Sequence, residues 1–203
     1  LAEHDAAVKA YEAAIEHSPE LLETYARLAW LSQTKLERPA HARKILDDMV
    51  ARLRTSPMSW LTRGRFHAEF GSRDAALTDL EQARKLAPDS VEVLLASARL
   101  AYDRASAART EGRTAMAQRI VAESRQQLQR GIEQHSEQLE LRLQYAMLEV
   151  QFGPSSEAQR QIDEVLKLSP KNAEAHRLLA EMSIQQGRVD QARAAIDKLP
   201  STP

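Results

Sequence analysis

Small and large apolar residues recur along this chain at helical spacing, four and then three positions apart. The pattern reads Ala7, Tyr11, Ala14 near the start, Ala76, Leu80, Ala83 further on, and Ala158, Ile162, Val165 beyond. Such spacing puts all three members on one face of an α-helix and predicts that this face packs on a neighbouring helix. A further small residue stands 12 positions ahead of the first member: Gly64 before Ala76, Ala146 before Ala158, Ala180 before Ala192. Between the two lie Gly71, Gly153 and Gly187, where a residue without a side chain most easily takes turn dihedrals. Each block therefore reads as helix, turn, helix.

The blocks repeat with a period near 34 residues and are punctuated by Pro19, Pro57, Pro88, Ser136, Pro170 and Pro200. Proline lacks a donor and clashes with the preceding turn, so it is expected to stop each second helix. The division that results is one domain, 1–203, made of a half repeat at 1–20 and repeats at about 22–56, 57–90, 91–138, 139–172 and 173–203. A lone hairpin cannot bury its apolar face, whereas stacked hairpins can, which predicts an all-α solenoid of antiparallel two-helix repeats.

Three blocks depart from the pattern. The first holds only a second helix, from Asp5 to His17, and the chain reads as a segment of a longer protein, with no capping helix after the last block. The second replaces the turn glycine with the stretch Lys35 to Pro39. In the fourth, Val91 and its counterpart Leu139 are 48 residues apart where 34 are expected. The excess amounts to about four helical turns, and it predicts one extended hairpin in the fourth repeat, two turns longer in each helix. A disordered loop over 103–124 is the alternative.

Composition narrows the function. Twenty-eight basic and 29 acidic residues leave a net charge of -1, which argues against nucleic acid as the partner. With no cysteine, disulfides, thiol chemistry and cysteine-ligated zinc are excluded. No apolar run reaches the roughly 20 residues needed to cross a bilayer, so a soluble chain is expected, in the cytoplasm or the periplasm. His4, His17, His41, His67, His135 and His176 are scattered without ligand spacing, and are expected to be solvated. There is no phosphate-binding glycine loop, and Asp47 with Asp48 reads as a charged helix face. No cofactor, metal or catalytic residue is expected.

Trp60, Gly64, Gly71, Ala76, Leu80, Ala83 and Pro88 form the best block, and with its counterparts it resembles the tetratricopeptide repeat family across 5–200. The resemblance implies a right-handed superhelical solenoid whose first helices line a concave groove, and a non-catalytic scaffold that binds a peptide or partner domain there. Carried onto this sequence, the groove positions include Trp30, Gln33, Arg65, Arg99, Tyr102 and Met147. Arg65 and Arg99 are expected to stack one repeat apart. Arginine grips carboxylates bidentately and the rings add apolar area, so the expected ligand carries an acidic group and an apolar side chain. The lysine and asparagine clamp that some family members use for chaperone tails is absent.

Trp60 and Tyr25, at the fourth position of their blocks, and Tyr11 are expected to be structural. Two other functions are compatible with the sequence. One is self-association into a homo-oligomer, with Met116, Ile120 and Leu128 facing outward from the long hairpin. The other is a supporting segment of a larger enzyme or an envelope polysaccharide-export protein; the Ala, Arg and Gln bias suggests a bacterial source.

Overall fold

Eleven α-helices make up the secondary structure of the described residues in the computed structural model, which describes residues 2–200, with side chains from His4 onward. They are α1 (Ala2–His17), α2 (Leu22–Thr34), α3 (Pro39–Arg52), α4 (Pro57–Phe70), α5 (Arg73–Leu86), α6 (Val91–Thr110), α7 (Thr114–Gln134), α8 (Leu139–Phe152), α9 (Ser155–Leu168), α10 (Ala173–Gln185) and α11 (Val189–Ile196). Pairing follows the sequence blocks: α2 packs on α3, α4 on α5, α8 on α9 and α10 on α11. The chain divides into two compact units, Leu1–Ala96 and Ser97–Pro203.

Local chemistry sets the helix ends. The Ser72 hydroxyl caps α5 by accepting from the Asp74 and Ala75 amides, and Asn172 caps α10 by accepting from Ala175 N at 2.9 Å. Pro39 and Pro57 open α3 and α4, where the missing N–H costs nothing. Pro57 therefore starts a first helix rather than stopping a second one, a correction to the proline rule above. The stretch 103–124 is helical apart from the turn at 111–113, and α6 and α7 reach 20 and 21 residues against 13 to 14 for α2, α3, α4, α5, α8, α9 and α10.

The turn glycines act by two different mechanisms. Gly112 and Gly187 take positive φ, 75° and 70°, as glycine alone does readily. Gly71 and Gly153 sit at φ -128° and -124°, open to any residue, so dihedral freedom is not what they supply. At Gly153 the reason is space beside a buried carboxylate. In the glycine-free turn after α2, Glu37 is forced to φ 54°, a conformation that strains an L side chain. Glu37→Gly is expected to stabilise the protein by about 0.5–1 kcal/mol, read by urea unfolding.

Each unit has its own core. In the first, Val8, Tyr25, Leu28, Leu46 and Met49 gather α1, α2 and α3, with Tyr11, Trp60 and Phe66 packed against them. In the second, Ala146, Ile162, Val165, Leu178 and Met182 gather α8, α9 and α10. Two ring side chains at the fourth position of their blocks, Trp60 and His176, also close the turn before them. Trp60 Nε1 donates to Arg54 O at 2.8 Å and His176 Nε2 donates to Pro170 O at 2.9 Å, both six residues back. Trp60, Tyr25 and Tyr11 are thus structural, as expected, and His176 is a buried core residue rather than a solvated one.

Candidate functional site

The six positions carried over from the resemblance fall on α2, α4, α6 and α8, in both units. In the first unit Trp30 and Gln33 lie on α2 and Arg65 on α4, two helices that pack on one another. Trp30 is 47% exposed, with the Lys35 ammonium 5.9 Å from its ring, and Arg65 is exposed. In the second unit Arg99 is exposed on α6, while Met147 on α8 is half-buried against the apolar core. Tyr102 stands edge-on to Phe152, ring centres 5.6 Å apart. That ring also receives Arg109, whose guanidinium lies 4.8 Å from its centre and donates to Gln151 O at 2.9 Å.

Arg65 and Arg99 have no ion-pair partner among the described residues. Arg27, Arg119, Arg160 and Arg177 are each held by a glutamate on their own helix. Glu69 and Asp103 form no ion pair with either Arg65 or Arg99. A free, exposed guanidinium retains its donors for an incoming carboxylate or carbonyl.

Two buried carboxylates escaped the sequence reading. Asp79 on α5 is 2% exposed and accepts a bidentate pair from Arg63 on α4, at 3.0 and 2.7 Å, with His67 Nδ1 at 3.1 Å. Arg63 also donates to Asp47 at 2.9 Å and stacks over Trp60, so Asp47 is one end of an interhelical network. Burial pushes the Asp79 carboxyl up, but the hydrogen bonds from His67 and Arg63 outweigh it and hold it below its ordinary value. In the second unit Glu149, 1% exposed, is gripped on both oxygens by Arg125 of α7, with Nη2 to Oε2 at 2.9 Å.

The Glu149 carboxylate explains Gly153. A Cβ there would lie 1.6 Å from Glu149 Oε2 and 2.6 Å from Arg125 Nη2. Gly153→Ala is expected to push the pair apart and cost about 1–3 kcal/mol, read as a lower urea midpoint; an unchanged midpoint would mean the carboxylate has another place to go.

These networks are structural, and nothing in them resembles an active site. No group of three or more His, Asp or Glu among the described residues is placed to hold a metal ion, and no described helix is long and apolar enough to cross a membrane. Two of the three α7 residues expected to face outward are inside: Ile120 is 7% exposed and Leu128 1%, against 42% for Met116.

Two family models, both described as tetratricopeptide repeat, match residues 57–100 and 156–202. No curated protein sequence matches the chain. Among solved structures, a thermophilic protein of this repeat class from Thermus thermophilus, TTC0263, is 18% identical with a TM-score of 0.69 over 87% of this chain and 89% of its own. A tetratricopeptide repeat protein from Parabacteroides merdae is 16% identical with a TM-score of 0.72, over 99% of this chain and 75% of its own. YrrB, described as having an unusual peptide-binding site, is 17% identical with a TM-score of 0.58, over 94% and 91%. At such identities the likeness is one of fold.

Proposed function

Because this chain carries tetratricopeptide repeats at both 57–100 and 156–202 within an all-helical fold, we propose that it is a non-catalytic scaffold holding a peptide or partner domain on its first helices. Trp30, Gln33 and Arg65 serve as contacts on the first unit, and Arg99, Tyr102 and Met147 on the second. The observation that carries this reading is that Arg65 and Arg99, the same position of successive first helices, are both exposed and form no ion pair among the described residues. The favoured ligand presents an acidic group beside an apolar side chain, on the first unit one for the Arg65 guanidinium and one for Trp30. The peptide-binding site described for YrrB points the same way.

The repeat register proposed from the sequence, with the fourth hairpin lengthened, is supported by the 20- and 21-residue helices α6 and α7. Self-association through that hairpin has less behind it, since Ile120 and Leu128 are buried and Met116 is left as the exposed member of the three.

The test is a pull-down from source lysate with the wild type beside the Arg65→Ala, Arg99→Ala double variant. Both positions are exposed, so the variant is expected to keep its helicity and to lose roughly tenfold or more of its affinity for the retained partner, as loss of two charge-assisted contacts implies. Equal retention by both proteins would sink the reading.

A further inference from the structure

A cleft of about 310 Å³ lies where α1, α2 and α3 meet. Apolar Ile15, Leu28 and Ile45 line it, together with three carboxylates, Glu12 and Glu16 from α1 and Asp48 from α3. Ile15 packs on the core of the first unit, so the cleft is on the covered side of α1. Tyr25 lines it too. That residue is 2% exposed, and its buried hydroxyl has no hydrogen-bond partner, an unfavourable state for a polar group out of water. The rings at the same position of their blocks, Trp60 and His176, both have one.

The next repeat shows what fits such a place. Arg63 of α4 reaches between α3 and α5, donates to Asp47 at 2.9 Å and to Asp79 at 3.0 and 2.7 Å, and stacks over Trp60. Trp60 and Arg63 correspond to Tyr25 and Leu28, three and six residues beyond Pro57 and Leu22, where the two blocks begin. Asp47 corresponds to Glu12, each five residues past the small residue of its helix, Ala42 and Ala7. Asp79 corresponds to Ile45, each three past Ala76 and Ala42. The first repeat thus keeps the ring and the outer acid but has leucine where the arginine stands. Glu12 has only the His41 ring, Nε2 at 3.9 Å, while Glu16 and Asp48 have no ion pair among the described residues. Lys44 and Arg52 line the same cleft, and neither pairs with these acids.

We infer that this cleft takes up the guanidinium of an arginine side chain carried by another polypeptide. Its N–H groups donate to Glu12 of α1, to Asp48 of α3 and to the Tyr25 oxygen, and Leu28 and Ile45 receive its methylene stem. Guanidinium suits the place better than ammonium, because its planar fork serves several acceptors at once and is more weakly hydrated. The source is a chain rather than free arginine, since the free amino acid would bring its own carboxylate up to Glu12, Glu16 and Asp48. Lys44 and Arg52 donate to the backbone carbonyls that flank the arginine. This site shares no residue with the one built on Arg65 and Arg99 and stands or falls independently of it.

The test follows amide NMR shifts of the isotope-labelled full chain on titration with the capped peptide acetyl-Gly-Arg-Gly-amide. A second titration uses the same peptide with citrulline, which keeps the shape and loses the charge. The expected result is saturable shifts confined to α1, α2 and α3, around Glu12, Tyr25 and Asp48, with the arginine peptide alone. The Glu12→Gln, Asp48→Asn double variant is expected to bind roughly tenfold more weakly. Both positions are exposed, so its far-UV circular dichroism is expected to be unchanged. Tyr25→Phe separates a binding role from a structural one: loss of an unpaired buried hydroxyl is expected to leave the urea midpoint equal or higher, while affinity falls severalfold. Equal shifts with the citrulline peptide, no localised shifts with the arginine peptide, or undiminished binding by the double variant would overturn the inference. Tighter binding of free L-arginine than of the peptide would overturn the assignment to a polypeptide.

Discussion

Arg125→Met is expected to lower the stability of the protein by about 3 kcal/mol, the low end of what breaking a buried pair costs. The low end applies because Arg125 is a third exposed and water reaches its guanidinium, whereas Glu149 is not accessible. Methionine keeps the aliphatic bulk and removes the charge, so Glu149 is left ionised and buried with no cation. Urea titrations of the two proteins measure this directly; an unchanged midpoint would mean that Glu149 finds another donor.

Arg63→Met is expected to cost a similar amount, about 3 kcal/mol, with a deficit that shrinks in acid. In the wild type the Asp79 carboxyl is held below its ordinary value. A depressed folded pKa contributes stability that is present above the unfolded pKa and is lost as pH falls through the folded one. Removing Arg63 removes much of that contribution, so the two proteins should converge as pH drops below the usual carboxylate range. Trp60 reports the change independently, because the Arg63 guanidinium lies 5.2 Å from its ring. Unaltered Trp60 emission together with unaltered stability would contradict the Arg63–Asp79 network.

The repeat was legible because it is written in apolar spacing. The interval of 12 between Gly64 and Ala76, and between Ala146 and Ala158, is the geometry of one helix folding back on the next, so pairing and turn positions followed from it. The excess in the fourth block was legible as length, since Ala, Arg, Gln and Glu without proline favour helix.

Buried charge was not legible. Asp79 and Glu149 look in sequence like Asp47, Asp48 or any solvated helix carboxylate, because burial depends on which face the neighbouring helix covers. One signal was present and unused. Asp79 follows Arg63 by 16 positions, and Gln161 follows Arg142 by 19, both at a helix pair already defined by its small residues. Gly153 misled for a similar reason: a turn glycine suggests positive φ, while here it makes room for a carboxylate. Ile120 and Leu128 were placed outward because the packing partners of a lengthened helix cannot be read from a repeat it no longer matches.

The candidate groove residues came from register alone, and binding rests on what surrounds each of them. Trp30 and Arg65 are open, Met147 is half-claimed by the core, and Tyr102 is engaged by Phe152. Arg65, Arg99 and Trp30 are therefore expected to carry more binding energy than the other three.

The most direct measurement is selection of a displayed random-peptide library on the purified protein, run in parallel on the Arg65→Ala, Arg99→Ala double variant. Sequences with an acidic group beside an apolar residue are expected to be enriched on the wild type and lost on the double variant. No enrichment on the wild type, or the same sequences from both proteins, would contradict recognition through these two arginines.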